Sequence, residues 1–329
     1  MTFSNYMNEW LYGNDGYYTQ YKAIGKKGDF YTSVSSSKFF GGTLAKYIIK
    51  RVDDGFIKSD ALICEIGAHH GYLLADIVEF IFTLRPELLQ TLRFGIVERY
   101  EALQTQQKKY FEESFGNEVV IEHYFSLTEL KCDNAFFIAN EIFDAFACEL
   151  FYKGKTATVV NNKIVFENEN EWVSQKAAKY HKDRGEIAVG YELFAKEMMQ
   201  AANTFEFISF DYGEMSARPD FSIRVYKEHE VYPLFDENIS IEELYTSSDI
   251  TYDVTFEHVK DAFVEAGATF VSLKAQMSVL VDMGILDLLE ILRQNVEDKI
   301  YKQELEKVKF LIMPDHLGER FKMITLIKE

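Results

Sequence analysis

The sequence has few basic side chains and no basic cluster. Its 329 residues include 35 Lys and Arg against 53 Asp and Glu, which gives a formal net charge of −18 at pH 7. A surface that binds nucleic acid needs Lys and Arg grouped on one face, and the basic residues here form no more than short pairs. We therefore expect no nucleic acid partner. The acidic surface fits a basic protein or peptide, although acidity also serves solubility.

Cysteine pairs and long apolar runs are also missing. Cys64, Cys132 and Cys148 are odd in number and form no CxxC pair, so we expect reduced thiols. No apolar run approaches the roughly 20 residues that a membrane span needs. The first seven residues have neither the basic nor the apolar region that forms a leader. The expectation is a cytoplasmic protein without membrane insertion.

What the sequence does contain is a glycine turn between a strand and a helix. Ala61–Ile66 is an apolar run that predicts a buried strand, and apolar residues recur at helical spacing from Tyr72 onward. Gly67 and Gly71 lie between them, and glycine lets a backbone approach a ligand closely beside free helix N–H groups. The dinucleotide fingerprint G-x-G-x-x-G is absent. Glu65 followed by G-x-x-x-G is typical of S-adenosylmethionine (SAM) methyltransferases, and an ordinary tight turn is the alternative.

Acidic and amide side chains follow the later predicted strands. Glu98 ends the second strand, near the position where an acid that binds ribose hydroxyls is expected. Asn140 follows the fourth strand, and ligands of open α/β sheets bind beyond such strand ends. Methyltransferases acting on nitrogen commonly place an amide and an aromatic there. The alternatives are a solvated acid for Glu98 and a helix N-cap for Asn140.

Alternating strand and helix patterns predict an α/β fold. We expect a Rossmann-like, seven-stranded sheet with an antiparallel last strand, plus an N-terminal segment and helical and hairpin insertions. Local predictions are an amphipathic helix over 3–12, a hairpin over 150–166 with its turn at 161–163, and a loop over 224–229. The expected segments are 1–58 covering the site, core halves 59–150 and 204–329, an insertion at 151–203, and a helical insertion at 276–308.

The order of these motifs resembles the MidA family of SAM-dependent methyltransferases. The resemblance covers nearly the whole chain, and its motifs are Leu11-Tyr12 with Gly16-Tyr-Tyr18, Gly28-Asp-Phe-Tyr-Thr-Ser33, Phe40-Gly41, Glu65-Ile-Gly67 with Gly71 and Asp76, Val97-Glu98 with Gln106, Asn140-Glu-Ile-Phe-Asp-Ala145, Asp211-Tyr-Gly213, Tyr226 with His229, Asp249-Ile-Thr251, Gln276, and Gly318 with Phe321-Lys322. Eukaryotic members of this family are assigned as protein-arginine methyltransferases and are mitochondrial assembly factors for respiratory complex I.

The resemblance implies a reaction and a set of site residues. The implied reaction is methyl transfer from SAM to an arginine of a protein partner, of the complex I subunit type. The implied cofactor-binding residues are Glu65, Gly67, Gly71, Glu98, Asn140, Asp29, Thr32 and Ser33. The implied catalytic residues are Asn140 with Glu141 and Asp144, whose carboxylates can pair with a guanidinium. Asp211 and His229 are secondary candidates, for which a structural role is equally open.

The glycine turn departs from the family pattern Glu-Leu-Gly-Pro-Gly-x-Gly. Ala68 and His69 stand where Pro and the middle Gly are expected. If position 69 needs a positive φ, its side chain adds strain. His69 and His70 have no evident third ligand, so no metal is expected. Other classes stay open: an assembly factor without chemistry, a dinucleotide oxidoreductase, or a methyltransferase of small molecules or lipids.

Overall fold

The computed structural model describes residues 1–20, 33–227 and 230–329. The chain forms two compact units, and each is assembled from three stretches. The core unit comprises Thr32–Asn140, Lys196–Phe210 and Phe263–Glu329, and the second unit comprises Met1–Tyr31, Glu141–Ala195 and Asp211–Ala262, within the described residues. The predicted segments divide the chain differently, and that division stays a prediction.

Both helices and strands form along the described chain. The strands are β1 (Leu62–Ile66), β2 (Arg93–Val97), β3 (Ile121–Tyr124), β4 (Cys132–Asn140), β5 (Cys148–Tyr152), β6 (Lys155–Val160), β7 (Lys163–Asn168), β8 (Arg184–Ala188), β9 (Ala202–Glu214), β10 (Arg224–Lys227), β11 (Glu230–Pro233), β12 (Asp249–Thr251), β13 (Val254–Thr255), β14 (Thr269–Ala275) and β15 (Phe321–Lys328). The helices are α1 (Phe3–Tyr12), α2 (Ser33–Ser36), α3 (Phe39–Asp53), α4 (Tyr72–Leu84), α5 (Glu101–Phe115), α6 (Glu171–Lys179), α7 (Tyr191–Ala201), α8 (Ile241–Leu244), α9 (Phe256–Ala266), α10 (Gln276–Asp282), α11 (Ile285–Asn295) and α12 (Asp298–Ile312).

The core unit is built on a sheet with the strand order β14-β15-β9-β4-β1-β2-β3. The pairs from β9 through β3 are parallel, whereas β14 and β15 are antiparallel. Parallel strands need crossover connections, and the helices after β1 and β2 supply them. The seven strands in this order confirm the predicted α/β sheet with an antiparallel last strand, and the short strand β13 pairs with β9 as an eighth.

Helices α3 and α4 approach each other closely in the core unit. A Cβ added to Gly41 would lie 2.6 Å from Asp76 Cβ, and one added to Gly42 would lie 2.6 Å from the Phe80 ring. Only glycine permits this contact, because real Cβ atoms do not approach other atoms so closely. The close contact gives a packing reason for the Phe40-Gly41 motif.

The second unit holds two small sheets, β7-β6-β5-β8 and β11-β10-β12. The predicted hairpin is confirmed, with Asn161 and Asn162 at φ of 49° and 58° in its turn. The predicted amphipathic helix is confirmed as α1, whose buried residues include Phe3, Met7 and Leu11. Complete burial of each such side chain contributes about 1.5–3 kcal/mol.

One local prediction in the second unit was wrong. Arg224–Lys227 is a strand rather than a loop, because Val225 is fully buried and pairs with Ile250 of β12. The error concerns pairing between distant stretches, which a local pattern does not record. In the same unit β9 continues to Glu214 and pairs with β13 at Gly213.

Candidate active site

The turn after β1 is built from left-handed residues. Gly67, His69 and Gly71 have φ angles of 72°, 48° and 78°. A Cβ at Gly71 would lie 3.2 Å from the Phe111 ring, so both φ and space favour glycine there. Gly67 and Gly71 therefore present backbone without a side chain at two positions before the N-terminus of α4.

His69 keeps the turn geometry without being glycine. Its carbonyl oxygen accepts a hydrogen bond from Gln107 Nε2 at 2.6 Å, and Gln107 Oε1 lies 3.0 Å from His123 Nε2. Burial lowers the pKa of His123 to about 4, so its ring is neutral at pH 7. The contacts from α5 and β3 hold the left-handed residue in place. The φ of His69 is positive, so the backbone strain expected for a side chain at this position is present.

Gln107 is a site residue that the sequence interpretation missed. The motif quoted Gln106, but Gln106 is exposed and Gln107 is fully buried. The spacing of Leu103, Gln107 and Phe111 places the three on one helical face. That spacing was the available signal for a buried glutamine facing the turn.

Glu65 joins β1 to α4. Its Oε2 accepts a hydrogen bond from the Leu74 backbone N–H at 3.0 Å. Burial raises the pKa of Glu65 to about 8, and the nearby acids Asp76 and Glu98 act in the same direction. The hydrogen bond from Leu74 ties the Glu65 carboxyl group to the helix that follows the turn.

Glu98 lies at the same edge of the sheet as the glycine turn. Ile66 pairs with Val97, and the Gly67 N–H donates to the Val97 carbonyl at 3.0 Å, immediately before Glu98. Glu98 Oε1 accepts from the Tyr100 N–H at 3.2 Å. Burial raises the pKa of this carboxyl to about 7. An acid beside a nucleotide-binding turn is suited to accept hydrogen bonds from ribose hydroxyls.

Asn140 ends β4, next to β1. Its neighbour Ala139 pairs with Ile66, and Asn140 itself pairs with Phe210 of β9. Its backbone therefore reaches the edge that carries Gly67 and Glu98. The role of its side chain in catalysis or cofactor binding stays a prediction.

Of the other predicted site residues, the structure describes Ser33 but not Asp29, Thr32 or His229. Ser33 is buried, and its hydroxyl donates to Gln276 Oε1 at 3.0 Å, while Gln276 Nε2 donates to the Leu311 carbonyl at 2.9 Å. This chain of hydrogen bonds gives Ser33 and Gln276 a packing role.

The second unit contains a buried carboxylate cluster around Asp144. The Tyr212 hydroxyl donates to Asp144 Oδ2 at 2.5 Å and lies 2.6 Å from Thr251 Oγ1. Asp144 Oδ1 is buried and has no hydrogen-bond partner among the described residues. Glu141, which follows Asn140 in the chain, has a φ of 54°. Asp144 therefore has one oxygen fixed and the other unsatisfied.

Asp211 shapes the backbone around this cluster. Its Oδ2 accepts from the Phe143 N–H at 2.9 Å and the Asp144 N–H at 3.3 Å, and its Oδ1 accepts from the Tyr212 N–H at 2.9 Å. These contacts give Asp211 a structural role, which was one of the two roles that the sequence left open for it. Burial raises the pKa of Asp211 well above its ordinary value, and the neighbouring acids Asp144 and Glu141 add to the rise.

Arg224 supplies a buried positive charge to the cluster. Its guanidinium carbon lies 4.6 Å from the Tyr212 ring centroid, and its Nη1 donates to Asp253 Oδ1 at 2.6 Å. Burial raises the pKa of Asp144 to about 6, whereas the Tyr212 hydroxyl and Arg224 lower it. The Tyr212 hydroxyl and the Arg224 guanidinium therefore favour the ionised form of Asp144.

The residues at the carboxyl edge of the core sheet fit SAM. Gly67 and Gly71 leave two left-handed positions of the turn without a side chain, and Glu98 offers a buried acceptor at the end of the neighbouring strand. In the parts of the chain that the structure describes, no group of three His, Cys, Asp or Glu side chains could hold a metal ion. The strand order and this edge define a protein of the SAM-methyltransferase class.

Comparison with known proteins supports this class. Residues 43–273 match the family model described as "Putative S-adenosyl-L-methionine-dependent methyltransferase". The chain belongs to this family, which confirms the resemblance to MidA proteins and SAM as the cofactor.

Similar proteins span almost the whole chain. The human protein named "Protein arginine methyltransferase NDUFAF7, mitochondrial" is 25% identical over 99% of this chain and 80% of its own length. The zebrafish protein of the same name is 22% identical over 95% of this chain and 79% of its own length. A Burkholderia thailandensis crystal structure bound to S-adenosyl-homocysteine has a TM-score of 0.83 at 21% identity, covering 100% of this chain and 88% of that one. The structural likeness shows the fold.

Proposed function

We propose that this methyltransferase transfers the methyl group of SAM to an arginine side chain of a protein partner in the cytoplasm. The observation that carries the proposal is the unsatisfied, buried Oδ1 of Asp144. A guanidinium is a planar, permanently charged donor that suits such a carboxylate. The names of the relatives support the same substrate class. A complex I subunit as the partner stays a prediction of the resemblance.

In this proposal the chain supplies positioning and charge. Bound SAM supplies an electrophilic methyl group on a sulfonium. Asp144 and Glu141 hold the guanidinium and orient the attacking nitrogen, and such orientation can lower a barrier by roughly 7–11 kcal/mol. A nitrogen–carbon bond forms as the carbon–sulfur bond breaks, S-adenosyl-homocysteine leaves, and one proton leaves the nitrogen. Asp144 is the ionised group of the cluster that can receive this proton.

The test is methylation of a host lysate with methyl-labelled SAM. Label recovered as methylarginine after hydrolysis of the protein fraction is the expected result. It should fall at least about ten-fold in Asp144→Asn, because a neutral amide cannot pair with a guanidinium as a carboxylate does. Tyr47→Phe is a control, since Tyr47 contacts Glu206 in the core unit and has no assigned site role.

Other outcomes would point to other classes. Label confined to small molecules or lipids would contradict a protein acceptor. Failure to bind SAM at millimolar concentration in calorimetry would favour an assembly factor that binds its partner protein without catalysing a reaction. NADH binding by fluorescence would favour an oxidoreductase.

A further inference from the structure

Tyr212 links three elements of the second unit at Asp144. Its hydroxyl lies between Asp144 Oδ2 and Thr251 Oγ1, and its ring packs against the Arg224 guanidinium. A hydroxyl has a single proton, so donation to Asp144 leaves it to accept from Thr251. The contacts fix both the position of the Tyr212 hydroxyl and the direction in which its proton points.

This arrangement leaves one side of Asp144 for a ligand. Oδ2 is occupied by Tyr212, and the backbone of Asp144 is held by Asp211. Oδ1 is the acceptor that remains without a hydrogen-bond partner within the described parts of the chain. A buried acceptor left unsatisfied is unfavourable, and more so when it is charged, so a cationic donor there would be favoured.

We propose that Tyr212 is a positioning residue: its hydroxyl, held between Asp144 and Thr251, orients Asp144 so that Oδ1 receives the guanidinium of the acceptor. The inference rests on the proposed function and names the residue that prepares its cation-binding group. Tyr212 acts through Asp144 and touches neither cofactor nor substrate in this scheme.

The charges around Asp144 determine how it titrates. Burial raises its pKa, while the Tyr212 hydroxyl and Arg224 lower it. The titratable and charged groups that interact with it are Tyr18 before α2, Asp211 and Tyr212 of β9, Tyr191 of α7, Arg224 of β10 and Tyr252 after β12. Among these groups Tyr212 donates a side-chain hydrogen bond to Asp144, and the backbone N–H groups of Asp144 and Ala145 also lower its pKa. Loss of the hydrogen bond from Tyr212 therefore raises the pKa of Asp144.

The experiment is the pH profile of kcat/KM for an arginine-containing peptide, used as the probe at saturating SAM, in wild type and Tyr212→Phe. The expected result is an acid limb moved to higher pH by about one pH unit or more, because a hydrogen bond to a charged group is lost. Activity should fall about five-fold or more at pH 6, yet stay within about two-fold of wild type at pH 9. The affinity for SAM should not change.

Two further variants separate positioning from general packing. Thr251→Val removes the contact on the other side of the Tyr212 hydroxyl and should move the acid limb in the same direction by less. It also serves if Tyr212→Phe does not fold. Tyr47→Phe is the matched control, because it deletes a hydroxyl that bonds the buried Glu206 carboxylate at 2.5 Å in the core unit. It should leave the profile unchanged.

Direct titration of Asp144 keeps this inference distinct from the proposed function. Carboxyl carbons labelled with ¹³C are followed by NMR, with Asp144 assigned by Asp144→Asn. A higher pKa in Tyr212→Phe supports the positioning role, even if no arginine acceptor is found and the proposed function fails. An unchanged titration, or an activity loss equal at every pH, overturns the inference.

Discussion

Glu98 is expected to make SAM binding depend on pH. Burial raises the pKa of its carboxyl to about 7 in the free protein, and ribose hydroxyls donate more strongly to the ionised form. As the pH falls through 7, Glu98 takes up a proton that must be released on binding, so affinity falls. Above about pH 8 the carboxyl is already ionised and affinity should level off.

The size of the effect follows from this single ionisation. For a group of pKa about 7 whose ionised form is required, the dissociation constant rises by a factor of about 11 at pH 6 and about 1.1 at pH 8. Binding should therefore be roughly ten-fold weaker at pH 6 than at pH 8, or about 1.4 kcal/mol. Glu98→Ala should weaken binding at pH 8 by at least about ten-fold, since each charge-assisted bond contributes about 1.5–3 kcal/mol.

Isothermal calorimetry at pH 6, 7 and 8 and constant ionic strength measures this dependence. Glu98→Gln should bind weakly, and its affinity should lose the ten-fold difference between pH 6 and 8. Asp76→Asn is the matched control: burial raises the pKa of Asp76 to about 7 as well, yet Asp76 has no assigned cofactor role, so this variant should retain the dependence. The ribose role would be refuted if the affinity of the wild type for SAM did not depend on pH. It would also be refuted if Glu98→Gln kept the ten-fold difference in affinity between pH 6 and pH 8. The second result would point to Glu65, whose pKa is about 8.

Two predictions concern stability, measured by urea unfolding. His69→Val should lose about 1–2 kcal/mol, because a β-branched residue fits a φ of 48° poorly. His69→Gly should lie between unchanged and about 1 kcal/mol more stable, since relief of strain competes with added entropy of the unfolded chain; a large loss would contradict strain at this position. Gly41→Ala should lose about 1–3 kcal/mol, because overpacking against Asp76 at 2.6 Å outweighs the gain of about 0.5–1 kcal/mol that alanine brings to a helix. A more stable Gly41→Ala protein would contradict the close contact of α3 with α4.

The parts of the site that the sequence predicted depend on local signals. The apolar run of β1, the glycines after it and the helical spacing of α4 lie within about 25 residues, and each has its own pattern. Glu98 and Asn140 were identified because they directly follow predicted strands. The parallel pairing of β1 with β2 and β4 then brings these positions to one edge.

The rest of the site depends on pairing between distant stretches. Tyr212, Arg224 and Thr251 meet Asp144 because β9, β10 and β12 come together in the second unit. No spacing in the sequence records that a tyrosine hydroxyl will reach an aspartate 68 positions away. Gln107 shows the same limit, since helical spacing indicates a buried face but not the carbonyl that its amide will reach.

The left-handed conformation of His69 bears on how relatives of this protein can be found. The turn after β1 is defined by the torsion angles at three positions, and histidine fills one of them. Asparagine, aspartate and histidine are the residues other than glycine that enter this region most readily. A search pattern that insists on glycine at this position would pass over such chains. One that accepts these four residues, and also asks for a glutamine on the facing helix, would retrieve them.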